Sequence, residues 1–244
     1  MAEGRGVMDL LFDAFGWLAD GANWEGSAGV PGRLFEHLWL TAISMAIACA
    51  VALPVGLWLG HLGRGGTLAI NISNVGRAVP TLAILVLLVL SPVGLSIWAT
   101  ILALVAFAVP PVLTNTYVGM REVDRDAVEA ARGMGMSGIQ LLRRVEAPLA
   151  VPLIMNGIRL ATVQVVATAT IAALVAGPGL GRIITAGFGR RDYPQMVAGA
   201  ILVAVLALAI EGLMELLQRR VDPLRAARST GVPSAGERSP VIQA

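Results

Sequence analysis

Between Ala78 and Met120 the chain carries no charged side chain. A membrane-spanning helix needs about 20 consecutive apolar residues to cross a hydrocarbon core of about 30 Å. This run is long enough for two such helices, and Ser91-Pro92-Val93-Gly94 interrupts it with residue types that close a tight turn. Lipid offers the backbone no hydrogen-bond partner, so such segments must satisfy their own N–H and C=O groups as helices. A helical hairpin inside a bilayer is the expectation. Composition agrees: of 244 residues only 14% are charged, where a soluble domain carries roughly a quarter.

Five segments have the length and apolarity of spans: Leu34–Gly60, Thr67–Leu90, Leu95–Val118, Leu149–Ala176 and Met196–Leu217. The expected fold class is therefore an all-α integral membrane protein with about five transmembrane helices over residues 34–217. All 18 basic residues are arginines. Arg64, the insert bearing Arg121, Arg125, Arg132, Arg143 and Arg144, and the tail bearing Arg219, Arg220, Arg225, Arg228 and Arg238 fall on one side. Arg5, Arg33, Arg182, Arg190 and Arg191 fall on the other. The positive-inside rule puts the richer side in the cytoplasm, with the N-terminus outside and the C-terminus inside, as an odd number of spans requires. Trp39, Trp58, Trp98, Tyr117 and Tyr193 lie near span ends and read as an aromatic belt rather than a cation-binding cage.

The flanks are expected to be simple. Residues 1–33 form an extracytoplasmic arm, and the charges of Glu3, Arg5, Asp9, Asp13 and Asp20 argue against a cleaved signal peptide. Leu11, Phe15, Leu18 and Ala22 share one helical face opposite those aspartates, which suits a helix lying on the membrane surface; a loosely held arm is the other reading. Residues 218–244, rich in Ser, Pro, Gly and Arg beyond Asp222, read as a disordered cytoplasmic tail.

Several chemistries are excluded. There is no G-x-x-x-x-G-K-[ST] phosphate cradle, no serine elbow and no H-E-x-x-H, so no catalytic residue is assigned. His37 and His61 lie far apart, match no metal-ligand spacing and read as surface-facing histidines near span ends; the lone Cys49 sits in an apolar run. A net charge of +2 spread around apolar segments does not describe a nucleic-acid surface. Gly133, Gly135 and Gly138 spell G-x-G-x-x-G, but a helical pattern precedes them where a nucleotide loop needs a strand.

That decoy lies in the one charged insert, residues 119–148. Asp126 with Glu129, and Ser137 with Gln140, have N-cap and N3 spacing, predicting two short helices with a bend at Gly133 and Gly135. Ala130 and Ala131 give the first helix a small-residue face for another protein, and Met134, Met136 and Ile139 add adaptable apolar contact. A two-turn helix is unstable in water unless it packs on something. The insert thus reads as a short exposed helix offered to a cytoplasmic partner.

Glu129-Ala130-Ala131, three residues, Gly135, nine residues, Val145, two residues and Pro148 resemble the EAA loop of ABC importer permeases, with Val145 where that motif usually has Ile. Pro80-Thr81-Leu82-Ala83, Asn115 to Gly119, Gly157 to Ala161 and Gly177 to Gly181 resemble the glycine betaine/carnitine/choline branch. The resemblance covers residues 34 to 217 and implies a type I importer permease in the cell membrane. It implies a second permease, identical or homologous, a separate ATPase that binds the ATP, and an extracytoplasmic substrate-binding protein. Glu129, Ala130, Ala131, Gly135, Val145 and Pro148 would then form the ATPase-coupling loop, and the chain itself would carry no cofactor and no metal.

Within the membrane, Arg77 and Arg159 are the charges noted in or at the edge of spans, and such charges normally face protein or water. They read either as part of the path or its gate, or as side chains that snorkel or bond helix-end carbonyls. Pro110-Pro111 ahead of Thr114 and Asn115 would kink the third span, and with Pro54 and Pro80 this marks either a transport path or packing accommodation. Pro80, Asn115, Arg77 and Arg159 are the candidate pathway residues. Gly177–Gln195 is too polar to span, and reads as a re-entrant or surface helix, or as a solvated loop; Arg190, Arg191 and Asp192 are available to dock a binding protein. The leading expectation is an ATP-driven importer of osmoprotectants. The same architecture with an amino acid or other small zwitterion, and a membrane-anchored interaction protein without transport, are the alternatives.

Overall fold

The computed structural model describes residues 6–67, 71, 76, 79–175 and 177–221, and among these the chain is helical with no strand. Among the described residues four helices are long and apolar enough to cross a membrane, and a shorter apolar helix stands in the expected second span. They are α2 (Val30–Leu62), α4 (Ile97–Arg121), the stretch ending in α7 (Ala147–Ala172), and α9 (Tyr193–Val221). The expected second span is represented by the short apolar helix α3 (Thr81–Leu90), which follows Pro80; Arg77 and residues 222–244 lie outside the described residues. The remaining helices are α1 (Val7–Ala19), α5 (Arg125–Gly133), α6 (Gly138–Leu141) and α8 (Gly181–Arg190).

The centre of the molecule is a three-helix core of α2, α4 and α7. Ala48, Ala52, Gly56 and Gly60 recur every fourth residue along α2 and are all buried, so they form a flat stripe against which another helix closes in. A Cβ on Gly56 would stand 2.7 Å from Cβ of Thr116, and one on Gly60 would strike Met120, both on α4. The seam between α4 and α7 repeats this device: a Cβ on Gly157 would lie 3.0 Å from the Pro111 carbonyl oxygen, and one on Gly119 would lie 3.2 Å from that of Ala150. Without a hydrophobic force between helices in lipid, such close packing is what holds them together.

Pro110 and Pro111 are buried inside α4, which continues through them. The local carbonyls are covered by side chains: Asn115 Nδ2 donates to Pro111 O at 2.8 Å and Thr116 Oγ1 to Val112 O at 2.7 Å.

The other elements surround this core. The arm is a packed helix, not a loose segment: α1 lies against α9 with Ala14 buried, while Phe12 and Phe15 are exposed. The face of α1 turned to the protein is thus offset from the one expected through Phe15, and Ala22 falls in a separate 3-10 turn. That turn is tied back by Trp24 Nε1 donating to Leu18 O and Asn23 Nδ2 to Trp17 O, each at 2.8 Å. Residues 177–195 form neither a solvated loop nor a span: α8 packs on α9 and buries Leu180 and Ile183 in a cluster with Val30.

Neither histidine faces the surface as expected: His37 is buried and His61 is partly buried. His37 Nδ1 accepts the Leu180 N–H at 3.3 Å and its Nε2 donates to Val166 O at 3.0 Å, so the ring links α2, α7 and the glycine-rich segment before α8. An imidazole that uses both nitrogens in this way is neutral and locked in one tautomer. Gly179 makes the link possible: its φ is +106° and a Cβ there would press on the His37 ring at 2.9 Å. A polar residue near a span end says nothing by itself about which way it points; the satisfied partners here come from distant positions.

Candidate functional site

At the end of the bundle where α2 and α4 finish, residues 121–150 fold back on themselves. Asp124 caps α5, its carboxylate accepting the Asp126 N–H at 2.9 Å. The sequence spacing suggested Asp126 as the cap with Glu129 at N3; the helix starts earlier because Asp124 occupies the extended position from which a side chain reaches the free N–H groups. Glu129 therefore has no capping role. The predicted Ser137–Gln140 box is present, with Gln140 Oε1 accepting from Ser137 N at 2.9 Å.

Val128 and Ala131 on α5 are buried with Met120, Val123, Leu141 and Ala150 in a small apolar core, and Val145 packs against it. Ala131 thus faces its own chain, while Glu129 and Ala130 point outward. Met134 and Ile139 are exposed beside them, whereas Met136 belongs to the inner cluster. Gly135 adopts φ +83°, the left-handed region that favours glycine, and a Cβ on Gly133 or Gly135 would meet nothing within 4 Å. The outer surface of this unit is therefore open, with small groups at Ala130, Gly133 and Gly135 and the apolar side chains of Met134 and Ile139 beside them.

Its connection to the membrane is continuous. α6, a π turn over Leu142–Glu146 and α7 run on as one helix of 38 residues, Gly138–Val175. Pro148 stands in the first turn of α7 and has no N–H to give to the preceding turn. The backbone widens instead, with the Ala147 N–H bonding Leu142 O, five residues back. The turn places Glu146 inward, where it pairs with His61 at the end of α2. Sequence reading missed this pair because the two positions are 85 apart and neither is unusual alone.

A second polar group lies within the spans. Arg159 of α7 donates through Nε to Glu211 Oε1 of α9 at 2.7 Å and through Nη2 to the same oxygen, with Nη1 3.4 Å from Gln218 Oε1. Gln218 Nε2 in turn donates to Pro152 O at 3.3 Å. One turn before Arg159, Asn156 donates to Asn115 Oδ1 of α4 at 3.3 Å. The structure therefore brings Asn115 and Arg159 to one polar strip, with Pro80 placed separately at the start of α3. Glu211 was not singled out from the sequence, although an acidic residue in the last span is the natural partner for an intramembrane arginine. Within the chain the partner of Arg159 is this carboxylate and not a helix-end carbonyl.

At the opposite end, Arg190 lines a cleft of about 510 Å³ with Arg33, Arg182 and Glu25. Arg190 and Arg191 are exposed, and Arg191 closes α8 in a left-handed conformation. Asp192 accepts the Gln195 N–H at 3.1 Å, so its carboxylate caps α9. Among the described residues no group of three His, Cys, Asp or Glu is placed to hold a metal ion.

The bundle and its folded-back unit match known proteins. Residues 52–223 match the family described as binding-protein-dependent transport system inner membrane component. The chain is 35% identical over 188 residues to the glycine betaine/carnitine/choline transport system permease protein of Bacillus subtilis, covering 77% of this chain and 86% of that one. It is 36% identical over 201 residues to the carnitine transport permease protein of Listeria monocytogenes, covering 82% and 92%. In fold it resembles a chain of the inward-facing MetNI methionine ABC transporter, with a TM-score of 0.67 and 23% identity over 79% of this chain and 95% of that one. It is a multi-pass inner-membrane transport subunit and not an enzyme, and it belongs to the binding-protein-dependent transport system inner membrane component family.

Proposed function

We propose that this chain is the permease subunit of an ATP-driven importer of osmoprotectants, the quaternary ammonium solutes of the glycine betaine, carnitine and choline type. The observation that carries this reading is its 35–36% identity, over nearly the whole length of each relative, to permeases named for those solutes. An amino acid as cargo is supported only by likeness of fold, and a passive anchor would have no use for the folded-back unit.

Energy enters through α5. The arginine-rich end of the bundle lies in the cytoplasm, where Glu129 and Ala130 present a small polar surface and Gly133 and Gly135 leave room for a partner's close approach. A separate ATPase subunit grips this surface. Ala131, Val145 and the π turn before Pro148 fix α5 to the membrane helices, so a displacement of α5 is passed to α7. ATP drives transport by binding the two conformations of the assembly unequally. A second permease subunit completes the path, with Asn115, Arg159, Pro80 and Arg77 as its candidate lining or gate. The binding protein delivers its cargo at the opposite end, over Arg190 and Arg191.

The test is uptake of labelled solutes by the complex of permease, ATPase and binding protein in proteoliposomes. ATP-dependent uptake of glycine betaine, carnitine or choline is expected, and its absence for all three overturns the reading.

A further inference from the structure

Arg159 and Glu211 lie deep in their helices. At 1.5 Å per residue Glu211 is about 12 Å before Arg219, and Arg159 about 16 Å beyond Pro148, along their axes. Neither side chain is enclosed, with 28% and 37% of their surfaces exposed. Charges at this depth are not stable against hydrocarbon and face either water or protein. Asn156, exposed one turn away, and Gln218 extend the same polar surface. A strip with this chemistry suits the side of the bundle that the second permease subunit proposed above closes into a path.

The pair is also incompletely used. Both guanidinium bonds to Glu211 end on Oε1, and among the described residues Oε2 accepts none. A guanidinium has five N–H donors, of which two are spent on Glu211 and one reaches toward Gln218. Resting on the importer reading above, we propose that Arg159 and Glu211 form a transit subsite for the zwitterion, with its carboxylate on the outer N–H groups of Arg159 and its methylated ammonium beside Glu211 Oε2. The match is one of charge balance. The pair is neutral alone and the complex is neutral when a zwitterion joins it, so no charge is left stranded in the membrane at any stage of passage. Each cargo charge meets its opposite, and the existing Arg–Glu bond on Oε1 need not break. A cation without a carboxylate, such as choline, uses only the Glu211 half.

The subsite is tested by saturation-transfer NMR on the purified permease–ATPase complex without its binding protein, with glycine betaine and choline as probes. The wild type is expected to bind both. Arg159→Gln should weaken glycine betaine roughly tenfold, as loss of a charged hydrogen bond does, and should not weaken choline, whose cation no longer meets the arginine's like charge. The double variant Arg159→Gln, Glu211→Gln removes both charges without stranding either; it should keep its level in the membrane and its ATPase partner while losing both signals. Absence of saturation transfer in the wild type, equal losses for both probes in Arg159→Gln, or unchanged binding in the double variant each overturn the subsite. Wild-type uptake of any of the three solutes together with such a result leaves the importer reading intact, whereas absence of uptake removes that reading itself.

Discussion

The two long helices α4 and α9 are equally apolar to the eye but are held in different ways. Of its most apolar window, α4 buries 56% and α9 only 17%. Around α4 the contact is made by glycine and alanine stripes that bring backbones together. α9 meets α7 through Arg159–Glu211 and Gln218–Pro152, and carries α1 and α8 on its flank. Close packing has one good arrangement, while polar side chains at the ends of long stems keep their bonds over a range of separations. The chain thus has a tightly joined core, to which the α5 unit belongs, and an outer helix that is packed closely on α8 at Gly199 but meets the core through polar side chains.

The largest effect is expected at the tight seam. Gly157→Leu drives a side chain into Pro111 O and Asn115, where the backbone cannot give way, and should cost about 3 kcal/mol or more, read as loss of folded protein in a detergent melt. A normal melting temperature for this variant would break the distinction between core and periphery. Next, Glu146→Ala leaves His61 without its partner and should cost about 2 kcal/mol, with a matching fall in coupled transport. Glu211→Gln, on the outer helix and part-exposed, should cost about 1 kcal/mol or less in the same melt. Smallest in stability is Ala130→Glu on the open face of α5, expected within about 0.5 kcal/mol of wild type. It should nonetheless abolish ATP-dependent uptake, measured in proteoliposomes at equal insertion, and retained uptake would remove α5 from the coupling role.

Four of the spans were legible because lipid imposes one requirement on the backbone, and long apolar runs display it without help from tertiary structure; of the second, the described residues show only the ten-residue α3. The boundaries of the loop were legible for a related reason: Ser137, Gln140 and Pro148 act on their own neighbours, and each behaves as its local chemistry dictates. What stayed hidden was long-range. His37 meets Val166 and Leu180, His61 meets Glu146, and Arg159 meets Glu211, pairs that no spacing announces. The misplaced cap at Asp126 is a smaller failure of the same local kind of reading, since Asp124 and Asp126 both have the side chain for the task and only the backbone decides between them. The sidedness of Ala130 and Ala131 was written in the pattern, since Val128 and Ala131 stand three apart on one helical face and Ala130 lies across from them, but two adjacent alanines read as one surface.

The unbroken 38-residue helix from Gly138 to Val175 has a mechanical consequence. At 1.5 Å per residue it is a lever about 57 Å long, with one end beside α5 and the other against the glycine-rich segment. A pivot of about 5° near its middle swings each tip by about 2.5 Å in opposite directions, by simple geometry on that length. A push too small to unpack a single side chain at one face of the membrane thus arrives at the other with its sense inverted. In the importer proposed above, torque rather than any change of secondary structure is what this helix would carry.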